Sequence, residues 1–297
     1  MSNHILLLDK PIGLSSNIAL QKVKRLFQAK KAGHAGTLDP LATGMLPIFF
    51  GEATKFTQYL LDADKTYAVT MQLGVRTNTS DKEGEVVSVR EVPALSENAI
   101  EKLFAQYRGA QQQIPSMFSA LKYQGKPLYE YARAGLTVER AARAIHIFEL
   151  NFISIENNLV NFIVTCSKGT YVRTLVDDMG EKLGCGAHVT ALRRLSMAGF
   201  SEKEMYTLEQ CEHFIHSHAH SHFLLPMDIV LLHLPAVTVD VDAARRLQQG
   251  CKVGNPPQSP FEKGGLVRLY CDQHFLGVGE ITDGKVQPRR LLTTTHL

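Results

Sequence analysis

The residues best suited to chemistry lie in one glycine- and proline-rich segment, residues 33–47, with the sequence GHAGTLDPLATGMLP. Three glycines and two prolines in 15 residues predict a fixed, irregular backbone that can approach a ligand closely. Asp39 is its carboxylate, and Pro40 favours an extended conformation there. The segment lacks the glycine spacing and the Lys-Ser/Thr pair of a phosphate-binding loop, and no second acid accompanies Asp39. These residues alone are compatible with a reactive carboxylate or with an aspartate that only caps a turn.

Positive charge is concentrated in two stretches, although the formal net charge is only +3. The interval between Asp9 and Asp39 contains no acid and six basic side chains, namely Lys10, Lys22, Lys24, Arg25, Lys30 and Lys31. Residues 115–143 interleave basic with aromatic side chains, which could grip phosphates and stack on exposed bases. Solvated helix faces and core tyrosines would have the same composition. Together, however, the two stretches favour RNA over a small substrate.

Composition excludes several other classes of protein. Of the 297 residues, 44% are hydrophobic and 21% charged, which is typical of a globular protein. Five cysteines without a Cys-x-x-Cys pair indicate reduced thiols rather than a disulfide framework or a zinc knuckle. No apolar run is long enough for a signal peptide or a membrane span, so we expect a soluble cytoplasmic protein. Five of the 12 histidines lie in residues 213–222, which we interpret as a variable surface loop rather than a metal site.

The elements that must position Asp39 can be predicted from periodicity. We predict strands at residues 5–8, 67–73, 86–92 and 150–166, the last with a turn at 157–158, and helices at about 16–28, 53–61, 96–107 and 170–183. Hairpins without regular β-α-β alternation indicate a mixed α+β sheet. After residue 234, short strands (236–240, 266–271, 275–281 and 285–292) and one helical turn (243–249) predict a small β-barrel. Residues 255–260 are interpreted as a surface loop.

The central segment and its neighbouring motifs closely resemble the bacterial tRNA pseudouridine-55 synthases, the TruB family. The further matches occur in the family's order and are LDKPxGxSS (8–16), GEATK (51–55), DKTY (64–67), PSMFSA (115–120), CSKGTYVR (166–173) and ALRRL (191–195). They cover roughly residues 5–200, whereas the C-terminal match rests mainly on GxGE (277–280) and PRR (288–290). Ala35 departs from the family, in which threonine or glycine is usual.

The resemblance implies a pseudouridine-synthase fold, which is a mixed, mainly antiparallel sheet with flanking helices and loops. We predict a catalytic domain at residues 1–234, with an RNA-binding, thumb-like insertion at about 115–143. Residues 235–297 are predicted to form a PUA-like RNA-binding domain.

The resemblance also implies a reaction, the isomerisation of the T-loop uridine at tRNA position 55 to pseudouridine. The N1–C1′ bond breaks, the flipped base turns within the site, and C5 joins C1′. Nothing is oxidised and no group is carried away, so we expect neither a cofactor nor a metal. The expected partner is the tRNA T-stem-loop. We expect no membrane association, no obligate protein partner, and a monomer.

Individual site residues follow from the same motifs. Asp39 matches the catalytic aspartate, which could attack C1′, attack the uracil ring or remove a 2′ proton. Arg173 matches the arginine that pairs with it and keeps it charged. Tyr67 matches the residue that stacks on the flipped uracil and could assist a late proton transfer. Tyr171 and Leu192 match residues of the substrate pocket.

Two further residues complete the predicted substrate-binding set. His34 matches a histidine that contacts the rearranged loop bases. Lys10, with Pro11, is expected to brace the catalytic loop more than to touch substrate.

Three other classes of protein compete with this interpretation. A catalytically silent RNA-binding protein would not need Asp39, Tyr67 and Arg173 together. A glycoside hydrolase normally needs two carboxylates, and only one is evident. A metalloenzyme built on the histidine run is the third alternative.

Overall fold

The computed structural model describes residues 3–217, 223–254 and 265–293. The strands are β1 (His4–Lys10), β2 (Ala32–His34), β3 (Thr43–Phe50), β4 (Lys65–Leu73), β5 (Val75–Thr77), β6 (Val86–Val89), β7 (Gly109–Gln113), β8 (Lys122–Tyr123), β9 (Lys126–Pro127), β10 (Arg143–Glu156), β11 (Leu159–Cys166), β12 (Ala187–Met197), β13 (Leu225–Pro226), β14 (Ala236–Val239), β15 (Val253–Gly254), β16 (Gly265–Cys271), β17 (His274–Thr282) and β18 (Lys285–Leu291). The helices are α1 (Ser16–Leu26), α2 (Gln58–Leu61), α3 (Glu97–Tyr107), α4 (Leu128–Arg133), α5 (Val172–Lys182), α6 (Leu208–His216) and α7 (Val241–Gln248). Short 3-10 segments occupy Gly51–Phe56, Glu202–Glu204 and Met227–Leu231.

A large mixed sheet forms the centre of the molecule. Its strand order is β13-β1-β3-β12-β4-β11-β10-β7, with β2 also paired to β3. Strands β3 and β12 run parallel, and the other neighbouring strands described in this sheet run antiparallel. The predicted α+β class with a mainly antiparallel sheet is therefore confirmed.

The burial pattern explains why these segments form strands. Every second residue of β4 is buried, and β11 shows the same alternation. This period of two places one face of the sheet against the core. Helices α3 and α5 cover that core with apolar side chains spaced three and four residues apart, as predicted.

Several elements differ from the sequence-based prediction, and three of them lie close to the pocket or support the strands that line it. Residues 43–47, predicted to be irregular, begin the buried strand β3, whose continuous apolar pattern hides the strand period. The predicted helix at residues 53–61 is instead a 3-10 segment followed by the short α2. Strand β12 was not predicted, because two arginines interrupt its apolar pattern.

The C-terminal part of the chain forms a second sheet of five strands, in the order β14-β16-β17-β18-β15. Helix α7 contributes Ala244 and Leu247 to its apolar core. This arrangement is consistent with the predicted PUA-like barrel, while the domain boundary near residue 235 stays a prediction.

Parts of the predicted loops lie outside the described residues. Of the histidine run, His213 and His216 belong to α6, whereas His218, His220 and His222 are outside. Residues 255–260 are outside as well. Within the described ranges, no helix is both long and apolar enough to cross a membrane.

Candidate active site

A pocket of about 330 Å³ opens beside Asp39. Five separate stretches of chain line it, namely residues 36–39, 61–67, 119–121, 166–173 and 192–194. The volume is at the lower end of the range for small-ligand sites, which suits a single nucleotide base rather than a long substrate. Asp39, Tyr67, Tyr171, Arg173 and Leu192, predicted from motifs far apart in the sequence, all line this one pocket.

Asp39 and Arg173 form an ion pair at the pocket wall. Arg173 Nε lies 2.9 Å from Asp39 Oδ2. The Arg173 side chain is 6% exposed, whereas that of Asp39 is 39% exposed. The arginine is thus fixed inside the protein, while the carboxylate remains open toward the pocket.

The remaining hydrogen bonds of Arg173 fix its guanidinium. Nη1 donates to the carbonyl of Thr79 at 2.9 Å and to Asp81 Oδ2 at 3.2 Å. Nη2 donates to the carbonyl of Phe118 at 2.8 Å. Arg173 therefore connects the loop that contains Asp39, the β5–β6 connection and the start of the predicted thumb-like insertion.

Asp81 is a second acid that sequence reasoning missed, and the expectation that none accompanies Asp39 was wrong. It is buried, and its Oδ1 accepts hydrogen bonds from Thr79 Oγ1 at 2.7 Å and from the Glu83 amide at 3.1 Å. The turn-forming run 77–84 was its only sequence signal. Because both of its oxygens are already bonded within the protein, Asp81 is not free to act as the second reacting carboxylate of a glycoside hydrolase.

Opposing influences act on the protonation of Asp39. Burial raises the pKa of Asp39, and the positive charge of Arg173 acts against that rise. The neighbouring charge of Asp81 raises the pKa further. Arg173 is consequently the main group that favours the ionised carboxylate.

Tyr67 and Leu192 come from two paired strands. Tyr67 on β4 lies opposite Arg194 of β12, and Leu192 lies opposite Val69. Both predicted pocket residues are more than nine-tenths buried. Burial raises the pKa of Tyr67, so its hydroxyl is neutral and can donate or accept a hydrogen bond.

Tyr171 is held in place by the edge strand β7. Its amide donates to Gln113 Oε1 at 2.8 Å, and its carbonyl accepts from Gln113 Nε2 at 3.1 Å. Gln113 is buried, and its side-chain amide binds both the backbone amide and the backbone carbonyl of Tyr171. This clamp fixes the turn that leads into α5 and hence into Arg173.

Lys10 and His34 do not line this pocket. Lys10 is fully buried, and its Nζ donates to the carbonyls of Leu14 at 2.6 Å, Pro11 at 2.9 Å and Pro40 at 3.5 Å. Burial lowers the pKa of Lys10 to about 8. This geometry is that of a brace for the loop after Asp39 rather than of a substrate ligand. His34 lies on β2, and burial lowers the pKa of its imidazole, which favours the neutral form.

Ser16 holds the other side of the catalytic loop. Its Oγ accepts from the amide of Leu38 at 2.7 Å and donates to the carbonyl of Leu38 at 3.0 Å. The two serines at the start of α1 have different roles. Ser15 is the cap, while Ser16 fixes the residue that precedes Asp39.

Two buried cations of the pocket were given no role by sequence reasoning. Lys65 Nζ donates to the carbonyls of Leu61, at 2.8 Å, and of Ala63. Arg194 lies under the catalytic loop beside Tyr67. No group of three or more His, Cys, Asp or Glu side chains in the described part of the chain could hold a metal ion.

Comparison with protein families assigns the whole architecture to one class. Residues 24–172 match the N-terminal domain of the TruB family pseudouridylate synthases, and residues 173–232 match the tRNA pseudouridylate synthase B C-terminal domain. Residues 235–292 match the C-terminal model of pseudouridine synthase II TruB. The fold and site are thus those of a pseudouridine synthase. The chain belongs to the TruB family.

Curated relatives extend the match over nearly the full length. The tRNA pseudouridine synthase B of Aeromonas salmonicida (strain A449) is 55% identical, over 97% of this chain and 93% of its own. That of Haemophilus influenzae (strain 86-028NP) is 53% identical, over 97% and 95% of the two chains. That of Yersinia pestis (strain Pestoides F) is 52% identical, over 98% and 92%.

Solved structures support the fold alone at lower identity. A chain of a Cbf5–Nop10–Gar1 complex is 24% identical with a TM-score of 0.72, and covers 98% of this chain and 84% of its own. A chain of the archaeal box H/ACA sRNP Nop10–Cbf5 complex is 23% identical with a TM-score of 0.70, over 97% and 85%. The predicted pseudouridine-synthase fold is therefore confirmed.

Proposed function

We propose that this protein is a tRNA pseudouridine synthase, which isomerises the T-loop uridine at position 55 to pseudouridine. The observation that carries the proposal is the Asp39–Arg173 ion pair, 2.9 Å long, at the wall of a base-sized pocket. The names and high identity of the full-length relatives support tRNA as the substrate.

The pocket supplies what this isomerisation requires. Asp39 is the carboxylate that starts cleavage of the N1–C1′ bond, and Arg173 favours its ionised form. The ring of Tyr67 and the apolar side chain of Leu192 form two walls of the pocket, between which a detached uracil can turn without escaping. Tyr171 closes the side next to α5. The base must first leave the T-loop stack, at a cost of a few kcal/mol.

Basic side chains around the catalytic loop provide a surface for the RNA backbone. Five residues on or just after α1 have no ionic partner among the described residues, namely Lys22, Lys24, Arg25, Lys30 and Lys31. Helix α1 begins at Ser16, which bonds Leu38 beside the site, and the five cations lie along its second half and the segment that follows it. Unpaired cations bind phosphates with release of counterions.

The remaining assignments complete the proposal. Residues 1–234 form the catalytic domain, residues 115–143 a thumb over the RNA, and residues 235–297 a PUA-like module that contacts tRNA away from the T-loop. His34 contacts the rearranged loop bases. The protein acts as a cytoplasmic monomer without an obligate protein partner or a cofactor.

Replacement of the proposed catalytic carboxylate tests the function. We expect Asp39→Asn to lower pseudouridine formation on unmodified tRNA by at least about 10³-fold, because nothing else in the pocket can start the cleavage. Release of tritium from [5-³H]uridine-labelled tRNA reports the reaction, since C5 loses its hydrogen when it joins C1′. Binding of the tRNA should persist.

The matched control is Asp242→Asn, which removes an exposed carboxylate on α7. It should retain the rate of the unmodified enzyme. A wild-type protein that releases no tritium from tRNA would overturn the proposed function, as would an Asp39→Asn variant that remains active.

A further inference from the structure

Arg194 is a buried guanidinium beneath the catalytic loop. It is 1% exposed and lies on β12 opposite Tyr67. Its Nε donates to the carbonyl of Met45 at 2.6 Å, and its Nη2 donates to the carbonyl of Gly36 at 2.8 Å. These two carbonyls stand on either side of Asp39 in the chain. The same side chain contributes to the lining of the pocket.

The charge of Arg194 is not neutralised by an acid. Within the described residues it has no carboxylate in ion-pair distance, whereas Arg173 pairs with both Asp39 and Asp81. The ionisable groups that interact with Arg194 include Lys10, Lys65 and His34, and its charge lowers the pKa of each. Carbonyl dipoles only partly offset a buried charge. This wall of the pocket is therefore positive and able to accept an anion.

The reaction generates such an anion on the base. If Asp39 attacks C1′, or if it removes the 2′ proton, the N1–C1′ bonding pair leaves with the uracil. If Asp39 instead adds to the uracil ring, the ring becomes an enolate. In each route the uracil carries one extra negative charge until C5 bonds C1′, C5 loses its proton and N1 gains one. The atoms of substrate and product are the same, and no external reactant is required.

We propose that Arg194 is a catalytic residue whose guanidinium stabilises the negative charge on the uracil during the isomerisation. Arg173 cannot supply this charge, because two carboxylates already neutralise it. A fixed cation in a dry site stabilises developing charge without reorganisation, which is where such groups contribute most. This inference rests on the proposed function and adds a third residue to the Asp39–Arg173 pair.

Two substitutions separate the effect of the positive charge of Arg194 from its support of the loop that contains Asp39. Arg194→Lys keeps the charge, Arg194→Gln removes it, and both lose part of the bonding to the carbonyls of Met45 and Gly36. The measurement is the single-turnover rate of tritium release at saturating tRNA, with the tRNA dissociation constant measured separately in an Asp39→Asn background. Arg193→Gln is the matched control, since Arg193 pairs with Asp9 rather than lining the pocket of Asp39.

We expect Arg194→Gln to lower the single-turnover rate by about 100-fold or more, within the range for loss of one charge-stabilising donor. Arg194→Lys should be at least about ten times faster than Arg194→Gln, and the dissociation constants should agree within about threefold. Equal losses in the two variants would show that Arg194 only supports the loop and would overturn the proposal. If the wild type forms pseudouridine and the Arg194→Gln variant is equally fast, this inference is overturned but the proposed function is not.

A ligand measurement keeps the proposal testable if the variants fail to fold. The probe is 5-nitrouracil, which ionises at a much lower pH than uracil, and the protein is the Asp39→Asn variant. We expect the anionic base to bind at least about tenfold more tightly than neutral uracil at pH 8, because the wall formed by Arg194 is positive. Equal affinities would overturn the proposal.

Discussion

At the scale of single residues, the proposed role of Asp39 makes activity depend on the protonation of its carboxyl group. Burial raises its pKa, Arg173 opposes the rise and Asp81 adds to it. The carboxylate is ionised only above its pKa, so activity should fall as the pH drops through that raised value. We therefore expect the acid limb of the kcat/KM profile to report Asp39, since this profile reflects groups of the free enzyme.

Substitutions of the two neighbours should move this limb in opposite directions. Arg173→Gln removes the opposing positive charge, so the pKa of Asp39 should rise and the limb should move to higher pH. Asp81→Asn removes a like charge, so the pKa should fall and the limb should move to lower pH. The measurement is kcat/KM for tritium release as a function of pH. Shifts of the same sign in the two variants would contradict this account of the site.

Resemblance and spacing could predict only part of the site at this scale. Asp39, Arg173 and Tyr67 lie in recognisable motifs, and the structure brings them to one pocket. Asp81 lies outside the quoted motifs, and Arg194 lies within ALRRL (191–195), but no role for its side chain followed from that motif. Their importance arises from burial against groups that are remote in sequence, and a charged residue in isolation gives no sign of being buried.

At the scale of elements, the start of α1 and the catalytic loop form one unit. Ser16 binds both backbone groups of Leu38, whereas its neighbour Ser15 only caps the helix. Ser16→Ala should leave the buried amide and carbonyl of Leu38 unpaired, which destabilises the fold by about 1–3 kcal/mol. It should also lower kcat more than it raises KM, because Asp39 is the next residue.

The neighbouring substitution is the control for this prediction. Ser15→Ala removes a helix cap and should cost about 1 kcal/mol of stability without a comparable loss of kcat. Thermal unfolding and steady-state kinetics of the two variants make the comparison. Equal kcat values for Ser15→Ala and Ser16→Ala would show that Ser16 does not position the loop.

Gly44 allows the loop to join the sheet. It has a φ of +93°, and a Cβ there would lie 2.2 Å from the carbonyl oxygen of Arg194. Strands β3 and β12 pair at this position, so the clash is between two backbones. We expect Gly44→Ala to reduce the thermal midpoint by more than about 10 °C, since the strain adds to the loss of pairing. Gly184→Ala, also at positive φ but in open space, is the control.

The element pattern could be predicted where side chains follow a simple period. The strand predicted at residues 67–73 and the helix predicted at 170–183 were confirmed within two residues, as β4 and α5. Strands β3 and β12 were not recognised. The first is buried along nearly its whole length, and the second carries Arg193 and Arg194, which only tertiary contacts make compatible with a central strand.

At the scale of the whole molecule, the C-terminal sheet packs against the segment that follows β3. Phe56 and Phe275 have ring centroids 5.4 Å apart, and Val278 belongs to the same apolar cluster as Phe56. Lys55 Nζ donates to the carbonyl of Leu291 at 2.9 Å. A proposed RNA-binding module is thereby fixed to the catalytic sheet, so deleting it would also expose apolar surface of the catalytic part.

Replacing Glu52 would loosen this junction without exposing the apolar surface that deletion of the module would expose. It accepts hydrogen bonds from the amide and hydroxyl of Thr293, at 3.0 and 2.8 Å, and from Lys55. Burial alone would raise its pKa, but these hydrogen bonds outweigh burial and hold the pKa of Glu52 to about 2, below the ordinary value of 4.5. A carboxyl whose pKa is depressed by folding adds stability above its unfolded pKa, and that stability is lost as the pH falls toward the folded pKa.

Glu52→Gln should therefore lower the thermal midpoint at pH 7, and the difference from wild type should shrink as the pH falls from about 4.5 to about 2. Asp242→Asn, which alters an exposed carboxylate on the C-terminal part itself, should show no such difference. Loss of Glu52 should also loosen the hold on the proposed RNA-binding module without changing the pocket of Asp39. Glu52→Gln should therefore weaken tRNA binding more than single-turnover catalysis at saturating tRNA. A pH-independent difference, or an equal fall in binding and catalysis, would show that this carboxylate does not couple the two sheets.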